Sequence, residues 1–91
     1  MIKRVNLTIR GHVQGVFFRV STRQQAQRLG LTGFVRNLND GSVNAIAEGE
    51  LENIDLFISW CKLGPSAACV KEVIVNNEPV TASESDFSIV P

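Results

Sequence analysis

The sequence predicts an α+β sandwich in which an antiparallel sheet carries two helices on one face, with elements in the order β-α-β-β-α-β. Three observations carry this expectation. Apolar residues alternate with a period of two over Val5, Leu7 and Ile9, and again over Val43, Ala45 and Ala47, as in strands with one buried face. Two other segments follow a helical period, Thr22, Ala26 and Leu29 in one and Ile54, Phe57, Ile58 and Cys61 in the other. Asn39-Asp40-Gly41-Ser42 is a tight-turn signal, because Asp-Gly suits the positive φ angles of hairpin turns. Two helices over one face of such a sheet bury a single core, and the element order is the ferredoxin-like one.

The elements follow in order. The first strand carries Val5, Leu7 and Ile9 inward and ends at Gly11, and Gly15 lies in a turn-like stretch after it. Ser21 with Gln24 fits a capping box, which predicts a helix from about Ser21 that Gly30 closes. A second strand is expected from Gly33 to Leu38, and the Asp40-Gly41 turn returns the chain into a third. The second helix covers about Glu52 to Leu63, stopped by Gly64-Pro65. Phe57 and Trp60 fall at core positions on it. A fourth strand is expected around Val70 to Val75, and Phe87-Ser88-Ile89 reads as a short final one.

Ninety-one residues suit one domain spanning 1–91, and a hydrophobic fraction of 44% suits a packed core rather than a disordered chain. No apolar run approaches the roughly 20 residues of a membrane helix, and the alternating N-terminus reads as a strand, not a secretory signal. A cytoplasmic location and no membrane partner are expected. Formal net charge is zero, yet residues 1–38 hold Lys3, Arg4, Arg10, Arg19, Arg23, Arg28 and Arg36 and no acid. Every Asp and Glu lies from Asp40 onward. This asymmetry fits either an anion site built from the first half or simple pairing of the halves on the surface. Cys61 and Cys69 match neither a redox nor a zinc spacing. Reduced thiols are expected, with a disulfide between them left open.

Two stretches concentrate the candidate chemistry: Gly11-His-Val-Gln-Gly-Val-Phe-Phe-Arg19 and Gly33-Phe-Val-Arg-Asn-Leu-Asn-Asp-Gly-Ser-Val43. In the first, a glycine-containing loop joins a strand to a helix. Such a loop can turn successive N–H groups toward an anion, the helix N-terminus adds partial positive charge, and Arg19 adds a forked donor. Neither a Walker A loop nor a Rossmann fingerprint is present. Taken alone, the pattern reads more readily as a tight turn with Val16 and Phe18 in the core and Arg19 on the surface, because glycine-containing strand-to-helix loops are common.

Together the two stretches resemble the acylphosphatase family. The family's V-Q-G-V-x-F-R loop stands here as Val13-Gln14-Gly15-Val16-Phe17-Phe18-Arg19, and its G-[WF]-V-x-N and D-G-[ST]-V segments as Gly33-Phe34-Val35-Arg36-Asn37 and Asp40-Gly41-Ser42-Val43. The likeness runs over almost the whole chain. It implies metal-free, cofactor-free hydrolysis of the carboxyl–phosphate bond of acyl phosphates. Arg19 would bind the phosphate, Asn37 would orient the attacking water, and amides of Gly15, Val16, Phe17, Phe18 and Arg19 would form the phosphate cradle. The chemistry tolerates so sparse a site. A carboxylate leaves without needing a proton, so what remains is positioning and electrostatics. Inorganic phosphate and sulfate would compete as anions.

Other residues are given structural roles. His12 reads as a partly exposed strand-end histidine, Cys61 and Cys69 as packing residues, and Arg36 points away from Asn37 by strand alternation. Gln14 is a candidate brace for the loop. Departures from the family pattern are Val20-Ser21-Thr22, where an aromatic residue is common, Cys69 before Val70, where an arginine is common, and the Val90-Pro91 ending. Two other functions fit the same fold: a non-catalytic phospho-ligand module, as in larger maturation enzymes, and an RNA-binding domain. The latter needs exposed aromatics on central strands, and its RNP1 pattern is missing, so no nucleic acid partner is expected. A monomer is expected.

Overall fold

A computed structural model describes all 91 residues. The chain runs β1 (Ile2–His12), α1 (Phe18–Arg28), β2 (Thr32–Asn37), β3 (Val43–Glu50), α2 (Leu51–Leu63), β4 (Cys69–Glu78) and β5 (Phe87–Ile89). The five strands form one sheet in the order β4-β1-β3-β2-β5. Pairs β1/β3, β1/β4 and β2/β3 are antiparallel, as the sequence predicts. β5 departs from this and lies parallel to β2, with Phe34 opposite Ser88, so the sheet as a whole is mixed. Residues 79–86 bring the chain across to that edge before it turns into β5, and their path decides the strand's direction.

The period-two residues do what their pattern requires. Val5, Leu7 and Ile9 of β1, Val35 of β2 and Val43, Ala45 and Ala47 of β3 are buried in one cluster with Phe18 and Ala26 of α1, Ile54, Phe57 and Cys61 of α2, and Phe87. Both helices therefore cover the same face. Trp60 sits at the cluster's edge rather than inside it, half-buried with its ring 5.8 Å from that of Phe18. The central strands β1 and β3 carry no Phe, Tyr or Trp.

α1 begins three residues earlier than its capping box suggests. Ser21 lies inside the helix, and no side chain caps the N-terminus. Instead Phe17 adopts a left-handed conformation (φ 60°, ψ 25°) and its carbonyl accepts the N–H of Ser21 at 3.0 Å. Burial of Phe18 in the first turn outweighs the local cap: its side chain is 1% exposed. The C-terminus follows expectation. Gly30 takes a positive φ of 68°, its N–H donates to the Gln27 carbonyl, and the Leu31 N–H donates to that of Ala26, the Schellman pattern.

The face without helices is polar and cross-linked. Asn44 donates to Asn6 Oδ1 at 2.8 Å, Arg36 donates to Asn44 Oδ1 at 3.2 Å, and Asn6 donates to Glu78 at 3.1 Å. Toward one end, Arg4 reaches Glu48 at 3.3 Å, Glu78 at 3.6 Å and Glu84 at 2.7 Å. Glu48 also accepts the N–H groups of Thr81 and Ala82 at 3.0 Å. This network holds residues 79–86 in place. No helix is long and apolar enough to cross a membrane.

Candidate active site

β1 ends at His12, and the chain then turns through Val13–Phe17 into α1. Two buried side chains fix this loop: Val13 is 1% and Val16 is 9% exposed. Gln14 ties it to the next element pair, because its Nε2 donates to the carbonyls of Leu38 (2.8 Å) and Ser42 (2.9 Å). These two residues close the β2–β3 hairpin, where the Leu38 N–H donates to the Ser42 carbonyl at 2.9 Å. Asp40 stabilises the same turn by accepting the N–H of Ser42 at 2.9 Å and its hydroxyl at 2.5 Å, and these bonds hold its carboxyl below the ordinary range. The brace expected of Gln14 is thus present.

Asn37 is the last residue of β2, immediately before that hairpin. Strand alternation sends its side chain to the helical side, the side of Val35, and sends Arg36 to the other, where it lies 5.9 Å from the Phe34 ring. Between loop, helix start and strand end lies a cavity of about 290 Å³, lined by Val13, Gly15, Phe17, Phe18, Arg19, Val20, Asn37 and Ile89. The two residues assigned central roles from the sequence therefore share one cavity. Gly15, Phe17 and Phe18 of the expected cradle line it as well, whereas the Val16 side chain belongs to the core.

Three features of this cavity favour an anion. Every backbone N–H from Gly15 to Val20 points to no acceptor in the protein, and those of Phe18, Arg19 and Val20 are first-turn amides with the positive end of the helix dipole behind them. Arg19 takes part in no ion pair, whereas Arg4 and Arg10 are matched with glutamates. No carboxylate stands in the lining. Asn37 adds a fourth observation: its Oδ1 is buried and has no hydrogen-bond partner. Leaving a buried acceptor unpaired costs about 1–3 kcal/mol, and such groups in folded proteins are rare enough to need a reason.

Val20 and Ile89 line the cavity without having been singled out from the sequence. Val20 follows from the early helix start, since with α1 beginning at Phe18 it falls in the first turn. Ile89 arrives from the opposite end of the chain through the parallel pairing of β5, which no local pattern announces. His12 is exposed at the end of β1, opposite Cys69 of β4, and does not line the cavity. Cys61 is buried and its thiol is pushed far up by desolvation, so it is inert packing. Cys69 is exposed, and both thiols are free.

A βαββαββ sandwich with an arginine, a carboxamide and unpaired amides around one small cavity defines an α+β domain whose cavity has the donor set an anion such as a phosphoryl group would need. Comparison with known proteins narrows the class. The acylphosphatase family model matches residues 5–89, and the chain belongs to that family. It is 48% identical over 87 residues to an acylphosphatase of Rubrobacter xylanophilus, covering 96% of this chain and 79% of that one. It is 43% identical over 89 residues to one of Methylococcus capsulatus, covering 98% and 97%. Among solved structures it is similar to an acylphosphatase from Coxiella burnetii (TM-score 0.93, 39% identity, covering 98% of this chain and 93% of that one). It also matches full-length HypF (TM-score 0.88, 32% identity), covering all of this chain and 12% of that one.

Proposed function

We propose that this cavity hydrolyses acyl phosphates by direct attack of water on phosphorus, with Arg19 and the Gly15–Val20 amides holding the phosphoryl group and Asn37 placing the water. The activity itself is supported by family membership and by relatives of 43–49% identity over nearly the full length that carry the acylphosphatase name. The observation that carries the assignment of roles is the meeting of Arg19 and Asn37 in one cavity floored by N–H groups that donate to nothing else in the protein.

The reaction asks little more of the protein. Water adds to phosphorus, the bond from phosphorus to the acyl oxygen breaks, and a carboxylate leaves with the bonding pair. The water's proton passes to a phosphate oxygen, since the lining holds no histidine, carboxylate or thiol to take it. Arg19's forked donors match two phosphoryl oxygens at once, and the amides oppose the charge on the others without reorganising. Asn37 can accept one hydrogen bond from the water and fix its approach, which also gives its buried Oδ1 a partner. The lining offers no carboxylate or imidazole for a metal ion, so a chelator is expected to leave the rate unchanged, and inhibition by EDTA would contradict this reading. The same reading takes the 91-residue unit to act as a cytoplasmic monomer, with inorganic phosphate and sulfate competing for the cradle. An exposed free thiol at Cys69 suits a reducing compartment.

The deciding experiment is a continuous assay on benzoyl phosphate with the wild type, Arg19→Ala and Asn37→Ala side by side. Turnover by the wild type and its loss in both variants is the expected result. Phosphate binding without turnover in the wild type would assign the chain to the non-catalytic phospho-ligand modules instead.

A further inference from the structure

Among the buried polar side chains Arg4, Thr22, Ser42, Asn44 and Glu48, Thr22 is the only one on a helix. It is 0% exposed and shares the core-facing stripe of α1 with Phe18 and Ala26. Valine would fill the same place without a hydroxyl to satisfy, so packing alone does not call for threonine. That hydroxyl makes one bond: Oγ1 donates to the Phe18 carbonyl at 2.7 Å. A back-bond of this kind does nothing for the helix itself and slightly weakens it. Thr22 does not line the cavity, yet the group it touches leads there.

The Phe18 carbonyl and the Arg19 N–H are the two ends of one planar peptide unit. The carbonyl end receives two donors, the Thr22 N–H of the helical ladder and the Thr22 hydroxyl. The N–H end has no acceptor in the protein and faces the cradle. In the preceding unit the Phe17 carbonyl receives one donor only, the Ser21 N–H at 3.0 Å. Donors on a carbonyl draw charge toward its oxygen, which makes the N–H at the far end a stronger donor. We propose that Thr22 is a positioning residue of the phosphate cradle: through the Phe18 carbonyl its hydroxyl sets the tilt of this peptide unit and strengthens the Arg19 N–H toward the bound anion. The inference rests on reading the loop and first turn of α1 as the phosphate site.

The test separates the hydroxyl from the packing with two variants. Thr22→Val keeps the shape and loses the hydroxyl, while the Phe18 carbonyl keeps its ladder bond, so no buried acceptor is orphaned. Thr22→Ser keeps the hydroxyl and loses a core methyl. The probe is inorganic phosphate, titrated by NMR with the Arg19 amide proton as reporter, alongside kcat/KM for benzoyl phosphate and urea denaturation. Thr22→Val is expected to bind phosphate roughly two- to fourfold more weakly, the effect of changing one charge-assisted bond by about a tenth to a third. Its kcat/KM should fall at least as much, its urea midpoint should hold or rise, and phosphate should move its Arg19 amide proton less far downfield. Thr22→Ser is expected to bind phosphate as the wild type does in spite of a lower urea midpoint. Thr22→Ala, which also lacks the hydroxyl, replaces Thr22→Val should the latter fail to fold.

Phosphate affinity of Thr22→Val within about 1.5-fold of the wild type would overturn the proposal. So would a Thr22→Ser weaker in binding than Thr22→Val, which is the order that packing alone dictates. A wild type that binds phosphate at the loop without hydrolysing benzoyl phosphate would overturn the proposed function, while the phosphate titrations would still decide the role of Thr22. A wild type whose Arg19 amide does not respond to phosphate would overturn both.

Discussion

At the scale of single residues, Arg19 and Asn37 are asked to do different things, and substitution separates them. Lysine at position 19 keeps the charge but offers a point instead of a planar fork. Arg19→Lys is therefore expected to lower kcat/KM by roughly 10²-fold, the scale of losing one preorganised donor to a developing charge. Steady-state kinetics on benzoyl phosphate checks this, and retention of more than about a third of the activity would deny the fork its role. Asn37→Ala should leave the competitive inhibition constant of inorganic phosphate within about threefold while kcat falls by 10²-fold or more, the pattern of an interaction made only on the way to the transition state. Equal losses in both would make Asn37 a binding residue. The same substitution makes a stability prediction. It deletes a buried oxygen that has no protein partner, so urea denaturation is expected to show stability unchanged or raised by up to about 1 kcal/mol.

At the scale of elements, the strands with one buried face were plain in the sequence because burial writes a period of two into them, as at Val5, Leu7 and Ile9. α2 was equally plain from Ile54, Phe57 and Cys61. The start of α1 was not, because Ser21 and Gln24 spell a good cap that the fold does not use, and the burial of Phe18 is a tertiary fact. The direction of β5 was also beyond local pattern, since three residues pair wherever the preceding segment delivers them. The central pair of the candidate site could be located because its residues sit in two motifs that resemble those of the acylphosphatase family, whereas Val20 and Ile89 join it only through those two tertiary features. Close contact between strands yields a prediction here. A Cβ on Gly33 would meet the Ile46 carbonyl oxygen, well inside any real contact distance, at a φ of 140° that side chains avoid. Gly33→Ala is expected to cost at least about 2 kcal/mol, measured by denaturation. The position lies within β2, the strand that carries Asn37, so residual folded protein should also turn over slowly. Gln14→Ala acts on the site more directly. It cuts both bonds between the Val13–Phe17 loop and the hairpin, and on the proposed roles kcat is expected to fall roughly tenfold or more, since small displacements of groups that act together are expensive. Inhibition by phosphate, which on the proposed roles needs Arg19 and the neighbouring amides but not Asn37, should suffer less.

At the scale of the whole molecule, part of the uneven charge of the sequence pairs off on one face of the sheet. Basic residues of the first half meet acids of the second on the helix-free face, Arg4 with Glu48, Glu78 and Glu84, and Arg10 with Glu72. Arg19 lies on the helical side and, like Lys3, Arg23, Arg28 and Arg36, takes part in no ion pair; its place in the cavity lining sets it apart from them. The Arg4 network is a clasp on residues 79–86, and through them on β5. The hydrogen bond from Arg4, with a second from Ser83, holds the Glu84 carboxyl below its ordinary value of 4.5. A carboxyl whose value is depressed by folding stabilises the folded state fully above its unfolded value and loses that contribution as pH falls through the folded one. Stability is therefore expected to be level from about pH 7 to pH 5 with respect to this group and to fall below about pH 4.5. Arg4→Met removes the partner. It should cost about 2–3 kcal/mol near neutral pH, because Glu48 stays buried without its counter-ion while Glu84 remains partly solvated. It should also flatten the acid limb, since Glu84 then keeps only the hydrogen bond from Ser83 to hold its carboxyl down in the folded state. Urea denaturation of wild type and variant at a series of pH values reads both effects. An acid limb of unchanged slope in the variant would place the acid sensitivity elsewhere, with Asp40 the next group to examine, because its carboxyl is also held down in the folded hairpin. Because β5 is also held by its own pairing with β2 and by the Val90 N–H bond to the Val35 carbonyl, and Arg19 and Asn37 lie outside the clasp, the folded variant should keep kcat within about twofold, so stability and catalysis should part company at Arg4.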